Sequence, residues 1–292
     1  MPLSPLKSPV NLFQKISGFS KGFITVVILF LSLIIINIFQ CLSLITLPIS
    51  REMFRSINRF FANTWWSVCD LWSEYLCKID IHFTGDKIPD KENALIISNH
   101  QDMTDITSLF RLARRKKRIG DIKWFVKDIL KFVPGIGWGM MFLDCIFLKR
   151  NWEKDETHVN KLFNKFSKYN IPIWAISFVE GTRIRPDKLS KSQNYANNYN
   201  LKALNHLLIP RTKGFAATVM GLRNHLNAVY DITIGYVDGV PTLWQWCQGY
   251  VNNVNIHVKR FAISELPLTE KEISKWLIER FEVKDELLEY YY

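Results

Sequence analysis

The sequence is poor in the residues that build secreted, stapled or metal-centred proteins. Five cysteines occur in 292 residues (Cys41, Cys69, Cys77, Cys145, Cys247), and no two form a CxxC pair. Cys41 sits inside an apolar run. This usage excludes a disulfide framework and the common zinc spacings, so no metal is expected. No Asn-x-Ser/Thr sequon occurs, which accords with a cytosol-facing body. No internal repeat is visible. The composition is not that of a disordered chain: 48% of residues are hydrophobic and 14% aromatic, enough for a substantial core.

Negative charge is also in short supply. The formal net charge is +11, which implies anionic partners: nucleic acid, anionic lipid or phosphorylated small molecules. The excess is local. Residues 111–150 hold eleven Lys or Arg against three Asp, whereas residues 264–292 hold eight acids against four bases. No recognisable nucleic-acid module surrounds the basic stretch, so nucleic acid is set aside. The run Arg111–Arg118 either attracts anionic lipid and phosphates or is a solvated helix face.

Charge is wholly missing from Gly22 to Ile49. A straight helix of that length reaches about 42 Å, more than the roughly 30 Å of a hydrocarbon core. A cleaved signal has a shorter apolar core and a small-residue cleavage site, so a retained membrane anchor is expected. Lysines 7, 15 and 21 precede the run and arginines 51, 55 and 59 follow it, so charge asymmetry sets no orientation. A re-entrant hairpin with both ends on one side fits basic residues on both flanks. The aromatic stretch Phe54–Leu76 reads either as an amphipathic helix at the membrane interface or as a core helix. Two regions are therefore expected: 1–79, anchor and interfacial helix, and 80–292, an α/β domain ending in a helix.

After Asp80 short apolar runs alternate with amphipathic stretches. Strands are expected at 94–98, 171–179, 207–209, 229–237 and 254–263, with a further apolar strand at 146–148. Helices are expected at 106–118, 154–169 and 214–226, and a final helix opens at the capping box Thr269–Glu272. Residues 187–200 read as a polar surface loop running into a helix. Alternating strands and helices specify an α/β fold with a mainly parallel sheet flanked by helices.

The chemistry-bearing strings follow the buried strands, where open α/β sheets place their sites. Asn99-His100 leaves the first strand, and Asp105 stands where it can accept the second ring N–H of His100 and fix its tautomer. Eighty residues on, Glu180-Gly181-Thr182-Arg183 leaves another strand. Gly181 permits a tight turn, and Arg183 can fork a phosphate. Glu180 either binds a substrate hydroxyl or pairs with a neighbouring base. Lys149 and Arg150 end an apolar strand, and Pro210 shapes the turn before Gly214.

In this order and spacing the four strings resemble the lysophospholipid acyltransferase family, which includes the 1-acylglycerol-3-phosphate O-acyltransferases. The likeness runs from about Ile88 to Pro267. Asn99-His100 with Asp105 looks like the family's first block, Phe147–Arg150 its second, Glu180–Arg183 its third and Pro210 its fourth. The wording of 210–215, 228–236 and 257–267 is most similar to the eukaryotic branch acting on lysophosphatidic acid, lysocardiolipin or lysophosphatidylinositol. Val179 departs from it, since that branch usually has Pro there. The resemblance implies that His100 is the general base on the acceptor hydroxyl and that Asp105 orients it. It implies that Asn99, Glu180, Gly181, Thr182, Arg183, Lys149 and Arg150 serve the glycerol-phosphate acceptor, and that Pro210 supports the pocket. Acyl-CoA is then a co-substrate, no cofactor is needed, and the endoplasmic reticulum membrane is the expected location. No serine or cysteine is placed for an acyl-enzyme.

Two rivals remain at this point. Gly18-Phe19-Ser20-Lys21-Gly22 matches the G-x-S-x-G pattern of serine hydrolases, but it adjoins the apolar run rather than a strand–helix turn. A non-enzymatic adaptor for anionic lipid explains the charge and the anchor, but not a His-Asp pair and a Gly-Arg turn at two strand ends.

Overall fold

The computed structural model describes residues 4–149 and 151–292. In chain order its elements are α1 (Leu12–Leu42), α2 (Arg51–Leu71), β1 (Asp80–Gly85), β2 (Ala94–Ser98), α3 (Thr104–Arg115), β3 (Ile122–Lys127), α4 (Ile136–Phe142), β4 (Ile146–Leu148), α5 (Trp152–Lys168), β5 (Trp174–Ser177), α6 (Pro186–Asn198), α7 (Thr212–Leu222), β6 (Ala228–Tyr236), α8 (Leu243–Gln248), β7 (Asn253–Ala262) and α9 (Glu270–Tyr291).

The seven strands form one sheet in the order β1-β7-β6-β2-β5-β3-β4. The run from β6 to β4 is parallel, while β7 is antiparallel to β6 and carries β1 with it. The central strands are apolar on both sides because helices cover both faces. Ala94 and Ile96 of β2 face a core shared with α2, α3 and α8. Leu95 and Ile97 face the opposite core, filled by Phe163 and Phe166 of α5, Phe215 and Val219 of α7, and Leu277 and Phe281 of α9. β2 lies between β5 and β6, so its carboxyl end is where the strand connections part to either side. Such a point opens a crevice for a ligand.

The fold class is as the sequence specifies, with three local differences. Residues 207–209 are not a strand: Leu207 and Leu208 are apolar because they fill the core beside α9, not because they pair in the sheet. Residues 187–200 are mostly helix rather than loop, since α6 needs only Leu189 and Ala196 to bury one edge. β1 and β3 have no counterpart among the expected strands.

The N-terminal helices are fastened to the sheet. Trp66 of α2 stacks on Phe110 of α3, and Ala62 and Trp66 belong to the main core. Buried Asp70 binds Arg111 at 2.6 Å and also takes Arg114. Arg118 pairs with Asp121, and Lys117 with Asp90. Much of the basic run 111–118 is therefore spent on internal ion pairs instead of facing lipid. The outward side of α2 still shows Met53, Phe60 and Val68 to solvent, so this helix is core on one face and apolar surface on the other. α1 is the one helix among the described residues that is long and apolar enough to cross a membrane. Ser20 lies within it, so the G-x-S-x-G string is helical and lacks the strand-to-helix elbow a hydrolase needs.

Candidate active site

Asn99 begins the site by extending β2. Its amide donates to the carbonyl of Ile234 at 2.9 Å and accepts from the N–H of Ile234 at 2.8 Å. The side chain thus mimics a peptide group, which Asp cannot do because it lacks a donor. Asn99 is fully buried, with both amide atoms spent on Ile234.

This rung sends His100 out over the strand end. Its Nδ1 lies 2.9 Å from Asp105 Oδ2. The ring stacks on Phe178 with centroids 4.0 Å apart, and Phe178 in turn stacks on Trp124. The hydrogen bonds of the described residues leave Nε2 unengaged, and the side chain is 13% exposed. The imidazole is held on one nitrogen and one face and is open at the other nitrogen.

Asp105 is wholly buried in the first turn of α3. Besides His100, its Oδ2 accepts the backbone N–H of Gln101 at 2.6 Å and of Asp102 at 3.0 Å. Its Oδ1 accepts the hydroxyl of Tyr236 at 2.7 Å. Burial and the adjacent Asp105 charge push the Tyr236 phenol well above its usual range, so it stays a neutral donor. Four donors converge on this one carboxylate, which fixes its position and presents Oδ2 to Nδ1–H.

Glu180 pairs with no neighbouring base among the described residues; its contacts are internal ones to the backbone. Oε1 accepts the N–H of His100 at 2.7 Å, and Oε2 accepts the N–H of Leu208 at 2.9 Å. With 3% of the residue exposed, the carboxylate faces the backbone of two loops and not the open side. Burial pushes it up to about 8, against the pull of those two N–H donors. Because the folded chain holds this proton more tightly than an ordinary carboxyl near 4.5, the resulting stability is full below that value. It drains away as pH rises through about 8. The thermal midpoint of the native chain should therefore fall between neutral and mildly alkaline pH. Glu180→Gln, itself destabilised by an amide N–H set against a backbone N–H, should lose that part of the slope. An unchanged slope in the variant would assign it to other groups.

The third and fourth strings close on the first. The N–H of Ile184 donates to the carbonyl of His100 at 2.9 Å, and the N–H of Arg211 donates to that of Val179 at 2.8 Å. Gly181 turns with φ +73°, and a Cβ there would stand 2.7 Å from Arg211 Nε. The turn thus needs glycine for both its conformation and its cover. Arg183 reaches Asp102 only loosely, at 3.4 Å, and is partly exposed. Thr182 is half-buried and Pro210 buried within the same loop cluster. Arg211, which the sequence reading passed over, is exposed and has no carboxylate partner among the described residues. Its signal was present: it is the one arginine in the turn with Pro210.

Lys149 is not brought to this cluster. It ends β4, three strands from β2, which is roughly 14 Å at the usual strand spacing. Its side chain is exposed on the same sheet edge. Arg150 lies outside the described residues.

Comparison with known proteins identifies the family. The profile of the Acyltransferase family matches residues 80–237, and that of the Acyltransferase C-terminus matches residues 247–292. The "Probable 1-acyl-sn-glycerol-3-phosphate acyltransferase 5" of Arabidopsis thaliana is 34% identical over 239 residues, which is 82% of this chain and 64% of that protein. The human "1-acyl-sn-glycerol-3-phosphate acyltransferase gamma" is 34% identical over 278 residues, 92% of this chain and 72% of that one. The chain thus spans about two thirds of the length of these relatives. In fold it is similar to the 1-acyl-sn-glycerophosphate (LPA) acyltransferase PlsC of Thermotoga maritima, with a TM-score of 0.53 over 94% of this chain and 98% of that one, at 17% identity. With a family match across more than half its length and relatives at this identity, the chain belongs to the acyltransferase family, among proteins named 1-acyl-sn-glycerol-3-phosphate acyltransferases.

Proposed function

We propose that the chain transfers a fatty acyl group from acyl-CoA to a free glycerol hydroxyl of a lysophospholipid, with lysophosphatidic acid or a lysophosphatidylinositol-like lipid as acceptor. The observation that carries this reading is the one-sided grip on His100. Asp105 holds Nδ1–H, so Nε2 is the basic nitrogen and faces the open side of the site. A hydroxyl reaching Nε2 gives up its proton as its oxygen attacks the thioester carbonyl. The same proton then serves the departing CoA thiolate. Asp105 stabilises the imidazolium that forms between these steps. Direct transfer of this kind needs no acyl-enzyme.

The acceptor phosphate requires cations near that base. Arg183 and Arg211 border the Gly181 turn, and neither is locked into a tight pair. A guanidinium pair suits the bidentate geometry of a phosphate. Asn99 and Glu180 position the His100 loop from inside in this scheme and do not touch the acceptor. Pro210 holds the turn that presents Arg211. Lys149, farther along the edge, suits the CoA phosphates, which lie a pantetheine arm away from the thioester.

Water-poor substrates need a site at the bilayer. α1 exposes an apolar face from Leu12 to Leu42 while its buried face runs along the body. Gly18 meets Tyr250 near one end, and Gln40 meets Gly139 near the other. That contact extends about 33 Å along the helix axis, so the body accompanies α1 throughout. The arrangement favours α1 lying in one leaflet over a lone perpendicular span; the membrane we propose is the endoplasmic reticulum, with the site facing the cytosol.

The test is product formation by the purified chain with one acyl-CoA and a panel of acceptors. Lysophospholipids should be acylated, and monoacylglycerol, which lacks the phosphate, should be a poor acceptor. Arg183→Gln and Arg211→Gln should each raise the acceptor KM by roughly tenfold, the worth of a charge-assisted contact. Equal use of phosphate-free acceptor, or an unchanged KM in both variants, would remove the phosphate from the reading.

A further inference from the structure

A second cationic feature is built at the other edge of the sheet. Where α1 gives way to α2, Leu44, Leu47 and Pro48 wall a cavity of about 540 Å³. Arg51, Phe54 and Arg55 of α2 form its second side, and Asp144 and Lys165 its third. Asp144 precedes β4 and Lys165 lies in the last turn of α5, so the cavity sits at the amino ends of the parallel strands. His100 leaves the carboxyl end of β2, on the opposite edge.

The lining carries three cations against one carboxylate. Lys165 neutralises Asp144 at 2.7 Å. Neither Arg51 nor Arg55 has a carboxylate within ion-pair distance among the described residues. Arg55 lies over the ring of Tyr169 at 5.4 Å, and Lys168 lies over the same ring at 5.7 Å. An aromatic face thus gathers positive charge beside the cavity instead of an acid cancelling it. The remaining wall is hydrocarbon. Leu44 and Leu47 are exposed and continue the apolar surface of Ile38, Phe39 and Leu42.

A cationic floor joined to an apolar wall matches a molecule with a phosphate at one end and acyl chains at the other. We propose that this cavity binds the headgroup phosphate of an anionic bilayer phospholipid, whose chains lie along the exposed face of α1. A free inorganic anion would make no use of Leu44, Leu47 and Pro48. The site is separate from the acyl-transfer centre, and occupancy seats the α1–α2 turn at the headgroup level. Binding therefore does not depend on the reaction proposed above.

The test uses the full chain purified in a mild non-ionic detergent and titrated with phosphatidylglycerol or phosphatidylcholine, following the thermal midpoint. Phosphatidylglycerol should stabilise the native chain and phosphatidylcholine should not. Arg51→Gln/Arg55→Gln should weaken the apparent affinity for phosphatidylglycerol roughly tenfold or more, as expected when two basic contacts are lost. The single Arg55→Gln change, which leaves Arg51 in place, gives the same comparison with less disturbance of the fold. His100→Ala and Arg183→Gln should bind like the native chain, as should Lys271→Gln/Lys275→Gln, which removes equal charge from α9. Undiminished binding in the Arg51 and Arg55 variants would overturn the proposal. So would equal stabilisation by inorganic phosphate, or equal weakening in the α9 control.

Discussion

Replacing His100 with alanine is expected to lower the rate of acyl transfer by about a hundredfold to ten-thousandfold, the range for loss of a general base. That corresponds to roughly 3–5 kcal/mol of transition-state stabilisation. The effect should fall on kcat, since Nε2 engages the hydroxyl most strongly as its proton leaves, while binding of the acceptor phosphate is left to Arg183 and Arg211. The fold should tolerate the change. The backbone N–H and carbonyl of His100, which bind Glu180 and Ile184, are retained in alanine. What is lost is the stack on Phe178 and the Nδ1 bond to Asp105, which keeps its other three donors. Steady-state rates beside a thermal melt settle the matter: native-like melting with native-like turnover would show that His100 is not the base.

Asp105→Ala should cost nearly as much, for a different reason. It frees the ring to adopt either tautomer, removes the charge opposite the imidazolium, and strands the N–H groups of Gln101 and Asp102. Asparagine separates these contributions. Its oxygen can keep the three donors at the Oδ2 position, with its NH₂ turned to Tyr236. The Tyr236 hydroxyl then accepts from that NH₂ and donates its own hydrogen bond to Thr104 Oγ1, 2.9 Å away. The tautomer is preserved and only the charge is lost. Asp105→Asn should therefore retain activity between the native chain and Asp105→Ala. Adding Tyr236→Phe to it should bring the rate down to the alanine level. Asparagine as inactive as alanine with Tyr236 intact would mean that the phenol does not secure the tautomer.

The sequence exposed the reacting groups better than the supports that hold them. β2, β5 and β6 were legible as apolar runs, because covering both faces of a sheet leaves little room for polar side chains, and β7 by its alternation of Val254, Ile256 and Val258 with polar residues. β3 was not, since Lys123 and Lys127 place it within the basic stretch, and nothing local says that Lys123 is buried. Likewise Arg111 looks solvated until α2 brings Asp70 against it, 41 residues away in sequence. α6 was hidden because two buried residues give no apolar stripe. At the site, the pairing of His100 with Asp105 could be read locally, because only five residues separate the end of β2 from the first turn of α3. The inward role of Glu180 could not: its partners are the backbone N–H groups of His100 and Leu208, 80 and 28 residues away, and backbone atoms leave no mark in a sequence. Arg211 was missed for a related reason, since its position over Gly181 depends on two loops meeting.

The central claim is that the acyl group passes in one step from the thioester to a hydroxyl activated by His100. Incubating the chain with acyl-labelled CoA, with and without a lysophospholipid, and quenching in acid tests it most directly. The account predicts labelled phospholipid when the acceptor is present, and neither labelled protein nor labelled free fatty acid when it is absent. Label retained on the protein, or fatty acid released at the same rate without an acceptor, would contradict it.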